Sequence, residues 1–258
     1  KTLDRILSFG EIVASKIVSA KLAADGIENE WKDSRLLIRT DSTHGFATVD
    51  FVETNKRIRG HFDESANGLH IFPGFISSDS AGYTTTLGRG GSDYTAAIIA
   101  AAIDADVLEI WTDVSGMMSA DPRFVRNVRQ ISHITYREAM ELSHFGAKVI
   151  YPPTIQPVMA KGIPILVKNT FEPEDHGTLI ESESAAKSEM IRGITSIDKI
   201  TVLSLEGSGM VGIPGFSKRL FDALSRASIN VILITQNSSE HSICVAIQHK
   251  HAIEAKQA

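Results

Sequence analysis

Thr84-Thr85-Thr86-Leu87-Gly88-Arg89-Gly90-Gly91-Ser92-Asp93-Tyr94-Thr95 is the stretch whose reading decides the fold. Three small hydroxyl side chains lead into three glycines, which run straight into an Ala/Ile-rich helical segment over Thr95 to Ala105. Glycines let backbone N–H groups approach an anion closely, and a helix N-terminus adds about half a positive charge. Arg89 adds a forked donor suited to carboxylate or phosphate. Ser92 or Asp93 is the expected helix cap. The stretch is not a P-loop, because Gly-x-x-x-x-Gly-Lys-Ser/Thr is missing. Nor is it a dinucleotide fingerprint, because Asp93 stands where the third glycine belongs. An anion-binding turn and an ordinary Gly-rich turn capping a core helix both fit these residues.

Working outward, period and punctuation predict helices at Ser8–Asp25 (Ile6, Phe9, Val13, Ile17 and Leu22 on or near one face, Gly26 as stop), Tyr136–His144 and Pro153–Lys161. Thr135 and Glu138 form a capping-box pair at the second of these, which Gly146 closes. Strands are expected at Ser34–Arg39, Ala47–Phe51, Leu69–Ile76, Val107–Thr112 and Ile163–Lys168. Such alternation indicates an α/β fold with a mostly parallel sheet sandwiched by helices. The rhythm changes after the polar stretch Glu181–Glu189. Beyond it, strands at Ile200–Leu205, Ile229–Ile234 and Ser242–Gln248 and helices at Phe216–Ala227 and His251–Ala258 give the β-α-β-β-α order of a ferredoxin-like module without its last strand. The expected division is 1–180, a linker at 181–192, and 193–258.

Composition narrows the class. The chain has 258 residues, 43% of them hydrophobic and 22% charged, close to globular averages. Its net charge of −5 disfavours nucleic acid as a partner, which needs a basic face. Its longest apolar run, Ala96–Ile103, is far short of the ~20 residues that span a bilayer. The single cysteine, Cys244, cannot form an intrachain disulfide and reads as a buried small residue of a cytoplasmic protein. The nine histidines show no metal-ligand spacing beyond His249-Lys250-His251, which reads as a solvated helix start, and no metal site is expected.

Several motifs in order carry a resemblance: Ser8-Phe9-Gly10-Glu11, Pro73-Gly74-Phe75-Ile76, Thr86 to Ala96, Trp111-Thr112-Asp113-Val114-Ser115-Gly116, Asp121-Pro122-Arg123 and Phe145-Gly146-Ala147-Lys148-Val149. They resemble the aspartate kinases of the amino-acid kinase superfamily. Gly209-Met210-Val211-Gly212 and Ile234 to Ser242 resemble the first ACT regulatory module, in the form found in bifunctional aspartate kinase–homoserine dehydrogenases. The resemblance implies an amino-acid kinase fold followed by an ACT module. The implied reaction moves the ATP γ-phosphoryl group, with Mg2+, to the side-chain carboxylate of L-aspartate.

It also implies roles. Arg89 would clamp a carboxylate of aspartate, and Asp93 would orient a catalytic lysine or the substrate. Gly74 and Phe75 would line the substrate, though core packing explains Phe75 as well. Glu11 would accept the substrate ammonium, whereas spacing alone makes Ser8 and Glu11 a capping box. Thr112 and Asp113 would lie near adenosine, with Arg123 and Lys148 at the phosphates; a turn-forming Asp113 and a solvated Lys148 are the plainer readings. Met118 departs from the Tyr of many relatives. Gly209, Met210 and Gln236 would hold a feedback amino acid, threonine or lysine, at an ACT–ACT interface, making a homodimer or higher homo-oligomer the expectation. A tight turn with a surface Gln would need no ligand.

No Lys-Phe-Gly-Gly, whose lysine such kinases place against the transferring phosphoryl group, occurs in the sequence. The expectation is a kinase domain lacking its N-terminal strand, an incomplete ACT module and a chain inactive by itself. Two other readings remain: an amino-acid kinase acting on another carboxylate or carbamate, and an amino-acid-sensing subunit without catalysis.

Overall fold

The computed structural model describes residues 1–65, 68–144, 149–183, 191–207, 215–236 and 242–258. The chain divides into two compact units, Lys1–Thr195 and Ser196–Ala258.

The first unit is organised around one helix. In chain order come α1 (Thr2–Ala24), β1 (Glu30–Trp31), α2 (Ser34–Leu37), β2 (Arg39–Thr40), α3 (Phe51–Glu64), β3 (His70–Ile71), β4 (Ile76–Asp79), β5 (Thr84–Thr86) and α4 (Gly91–Ala102). Then follow β6 (Leu108–Thr112), β7 (His133–Thr135), α5 (Tyr136–His144), α6 (Pro152–Met159), β8 (Ile165–Asn169) and β9 (Thr178–Glu181). α4 is apolar all round, the signature of a helix buried on more than one face. Ala97 and Ala100 enter a core with Ile110, Ile155, Ile165 and Val167, while Ile98 and Ala102 enter another with Ile38 and Ile58. Its alanines let α6 and β6 lie close, so α4 is fixed from two sides and its N-terminus with it.

Sheet pairing is mixed but mostly parallel, as expected. β1–β3, β2–β4, β6–β8 and β7–β9 are parallel, and β4–β5 and β8–β9 are antiparallel. The capping box is present: Thr135 N–H donates to Glu138 Oε2 at 2.9 Å, and Glu138 N–H donates to Thr135 Oγ1 at 3.2 Å. Burial opposes it, but those Thr135 bonds and nearby Arg192 hold Glu138 below its ordinary carboxyl pKa.

Four local expectations fail. Leu69–Ile76 is a strand only at His70–Ile71, because the Pro73–Phe75 loop, with Phe75 left-handed, breaks it before β4 begins at Ile76. Ser34–Arg39 is a helical turn before a two-residue strand, because Asp33 caps it by accepting from Arg35 N–H. Ala47–Phe51 is no strand; Val49 makes a single bridge to Thr40, and Asp50 caps α3 at Phe51. α1 turns its apolar residues outward: Ile6, Phe9, Val13 and Ile17 are exposed, while Asp4 and Ser8 are buried. Its inner side is polar, tied down by Asp4 to His44 and by Trp31 to Ser15.

The second unit has β10 (Ile200–Glu206), α7 (Phe216–Arg226), β11 (Val231–Gln236), β12 (Ser242–Gln248) and α8 (Ala252–Gln257). Its sheet is antiparallel in the order β10-β12-β11, with Leu224, Ile229, Val245 and Ile247 as core. Cys244 is only half-buried, and its thiol faces Ser204 Oγ at 3.4 Å. Among the described residues, no helix is long and apolar enough to cross a membrane.

Candidate functional site: a glycine-locked helix N-terminus

The loop between β5 and α4 is shaped by contacts that only glycine permits. Gly88 and Gly90 have φ of 76° and 66°, the left-handed region that other residues adopt at a cost. A Cβ at Gly88 would stand 2.4 Å from the Phe46 ring, and one at Gly90 2.7 Å from Tyr151 Cβ. Left-handed Gly90 becomes the N-cap itself and starts α4 early, so Ser92 and Asp93 lie in the first turn instead of capping it. No side chain caps this end. Gly91 N–H is taken by Gly88 O at 3.1 Å, so what this end offers an anion is its dipole and the Ser92 and Asp93 amides that follow. Arg89 is exposed beside them, and Asp93 is half-buried. Burial pushes the Asp93 carboxyl pKa upward.

The Pro73–Phe75 loop packs against this helix end. A Cβ at Gly74 would lie 2.8 Å from Ser92 Cα. Phe75 has φ of 69°, in a region that is sparsely populated for a bulky side chain. Thr95 Oγ1, which donates to Gly91 O at 2.8 Å, accepts from Phe75 N–H at 3.0 Å, and Leu87 N–H donates to Phe75 O at 2.9 Å. Backbone strain held by this many bonds is characteristic of functional loops. The Phe75 ring is half-buried and packs against Gly91, where a Cβ would stand 2.8 Å from its Cδ2. Gly74, Phe75, Arg89 and Asp93 thus lie around one helix end.

Glu11 is half-buried on α1, which packs against β5. Its capping-box reading is wrong: Ser8 sits inside the helix, and its hydroxyl donates back to Arg5 O at 2.8 Å. A cap needs a residue at a helix start. The same helix anchors the loop behind Gly88, because buried Asp4 accepts from Gly45 N–H at 3.1 Å and faces His44 Nδ1 at 2.9 Å.

The β6 side is looser. Thr112 ends the strand as expected and pairs in register with Asn169 of β8. Its hydroxyl donates to Asp113 at 3.2 Å, and Asp113 is exposed. Asp121–Arg123 is a turn, but there Arg123 forks onto its own Asp121, at 2.6 Å for the shortest bond. That pairing holds the Asp121 carboxyl low. Met118 bridges Gln130, adding no aromatic surface. In the second unit, Gln236 is exposed at the end of β11. Lys148, Gly209 and Met210 lie outside the described residues.

Sequence reasoning missed Phe46, Tyr151 and the Asp4–His44 anchor. Their partners stand tens of residues away, so no spacing signals them. It also missed the cluster behind Thr112, where Asn169 Nδ2 donates to Ser115 Oγ at 2.9 Å and Ser115 Oγ donates to Glu172 at 3.1 Å.

With this geometry in view, the likeness to known proteins is informative. The amino acid kinase family model matches residues 1–169, and an ACT domain model matches 203–258. A bifunctional aspartokinase/homoserine dehydrogenase from Arabidopsis thaliana is 37% identical over 99% of this chain and 29% of its own length. Its Haemophilus influenzae counterpart is 42% identical over 81% of this chain and 26% of its own. The structure of aspartokinase III from E. coli with aspartate and ADP superposes with a TM-score of 0.83 at 34% identity, covering 95% of this chain and 54% of that one. The chain thus spans under a third of those bifunctional relatives and about half of aspartokinase III.

Proposed function

The chain belongs to the amino acid kinase family and carries an ACT domain, and from that premise we propose that its kinase unit serves ATP-dependent phosphorylation of the side-chain carboxylate of L-aspartate. The observation that carries this is the uncapped N-terminus of α4, held by Gly88 and Gly90 against the strained Phe75 loop, with Arg89 exposed beside it. The similar aspartokinase III binds aspartate and ADP.

Phosphoryl transfer asks the protein mainly to hold two anionic reactants in line and to spread positive charge over them. Arg89 forks onto a carboxylate of aspartate, Glu11 takes its ammonium, and Gly74 and Phe75 wall its backbone. Asp93, whose raised pKa marks a poorly solvated carboxyl, orients what lies at the helix end. Thr112 and Asp113 receive adenosine, and Arg123 and Lys148 meet the phosphates. For Arg123 this means exchanging Asp121 for phosphate, which its exposure permits. Mg2+ would enter on the nucleotide phosphates, its usual mode of binding.

The ACT unit would supply feedback control, with Gly209, Met210 and Gln236 holding threonine or lysine. Lysine is bound by aspartokinase III in a second structure. Exposed Val202, Leu233 and Ile234 on its outer strands suit the pairing of two such units, hence a homodimer or higher homo-oligomer. We place the protein in the cytoplasm on its lone cysteine, although the plant relatives are named chloroplastic.

Equilibrium titration with MgADP tests the kinase reading against a pure amino-acid sensor. Saturable binding weakened by Arg123→Ala is expected, and no nucleotide binding at all would favour the sensor.

A further inference from the structure

We propose that Glu30, His61 and His70 form a binding site for a divalent metal of the zinc class, separate from the phosphoryl-transfer machinery. Three elements converge there. β1 and β3 pair so that Glu30 stands directly opposite His70, and the last turn of α3 brings His61 over both. One ligand atom from each residue lies within 4.8 Å of the other two. His61 Nδ1 is 3.9 Å from Glu30 Oε1, and His70 Nδ1 is 3.8 Å from Glu30 Oε2.

Those separations are too long for hydrogen bonds but close to what a metal needs. Ligand atoms bound tetrahedrally at about 2.0–2.1 Å stand roughly 3.3 Å apart, so the two Glu30–histidine separations need to close by about half an ångström, and the third pair, within 4.8 Å, by roughly 1.5 Å at most. The donor set is two imidazoles and one carboxylate, a set that suits zinc and does not suit Mg2+.

Burial argues against a plain charge pair. His61 is 8% exposed, so its ring is taken almost wholly out of water beside Glu30. Phe62 and Phe72 pack on the two histidine rings. Glu30 is already oriented from behind, since Ser65 Oγ donates to its Oε2 at 2.7 Å. Outer hydrogen bonds of this kind typically position metal ligands. His70 also borders an open groove of about 610 Å3 between β3 and α4, which leaves room for water as a remaining ligand. Sequence spacing does not reveal the site, because its ligands come from a strand, a helix end and a second strand.

The test titrates the chelator-treated chain with Zn2+ by calorimetry and follows Tm. One Zn2+ per chain is expected, with Tm rising on binding and with excess Mg2+ not competing. Affinity should fall at least about tenfold in Glu30→Gln and in His70→Asn, one lost ligand costing on the order of 1.4 kcal/mol or more. The control His249→Asn/His251→Asn should bind as the unaltered chain does. Co2+ substituted into the unaltered chain should show the intense visible absorption of a four-coordinate site, a readout that decides even if a variant fails to fold. Absence of Zn2+ binding, Zn2+ binding untouched by Glu30→Gln, or a pale octahedral Co2+ spectrum would each overturn the proposal.

Discussion

The two sides of the proposed kinase site are held by different physics. On the acceptor side, position is set by the backbone: left-handed Gly88 and Gly90, the close approach of Gly74 to Ser92, and Phe75 fixed by three hydrogen bonds. On the nucleotide side, position is set by exposed side chains, with Arg123 on Asp121 and Thr112 on Asp113. The first side is rigid before any ligand arrives. The second, in the proposed role, exchanges the pairing of Arg123 with Asp121 for ligand contacts. Substitutions of the packed glycines on the acceptor side should therefore damage stability and binding together, whereas loss of an exposed side chain on the nucleotide side should damage binding alone.

The largest effect is expected at Gly74. In Gly74→Ala the new methyl meets the Ser92 backbone at 2.8 Å. Overpacking of this kind costs about 1–3 kcal/mol, to be read from urea unfolding. L-aspartate binding should fall with it. If stability stayed unchanged, the acceptor side would not be set by backbone packing. Arg123→Ala should do the reverse, weakening MgADP binding severalfold while leaving unfolding within about 0.5 kcal/mol, as for most exposed positions.

Asp93 sharpens the contrast through pH. Its folded-state pKa lies above the unfolded value, so the folded chain binds more protons there. The stability it confers is full below the ordinary carboxyl range and is lost as pH rises through the folded pKa. Asp93→Asn lacks that loss. Its unfolding midpoint should exceed that of the unaltered chain at about pH 7, and the two should converge as pH falls below the ordinary carboxyl range of about 4, where the carboxyl is protonated in both folded and unfolded states. A difference that grew on acidification would show the carboxylate to be stabilised, not strained, at the helix end.

The smallest effect belongs to Asp121→Asn. Freeing Arg123 from its fork should strengthen MgADP binding by a factor of about two to five, since exposed pairs of this type hold each other by under about 1 kcal/mol. Weaker nucleotide binding would mean that Asp121 serves to hold Arg123 in place.

Much of this was legible in the sequence, for reasons that differ by element. α4, β6 and the capping box of α5 announce themselves through glycine, apolar run and Thr135/Glu138 spacing, all of them local signals. α3 is silent because its buried positions are Thr54, Ile58 and His61, two of them polar, and Thr54 finds its side-chain partner only in Arg39, fifteen residues away. α1 has a readable period but the opposite orientation, since Asp4 and Ser8 face inward to His44 and to the helix's own backbone. At the site, the glycines and Arg89 stand out as letters. The left-handed Phe75 and the packing of Phe46 and Tyr151 do not, because strain and long-range contact leave no local pattern.

The central claim is that Arg89 receives a carboxylate of L-aspartate at the N-terminus of α4. Calorimetric titration of L-aspartate into the unaltered chain and into Arg89→Ala tests it directly. A saturable L-aspartate isotherm, weakened at least about tenfold by the loss of one charge-assisted fork of roughly 1.5–3 kcal/mol, is the predicted result. L-aspartate binding of equal strength in both chains, or in neither, would contradict it.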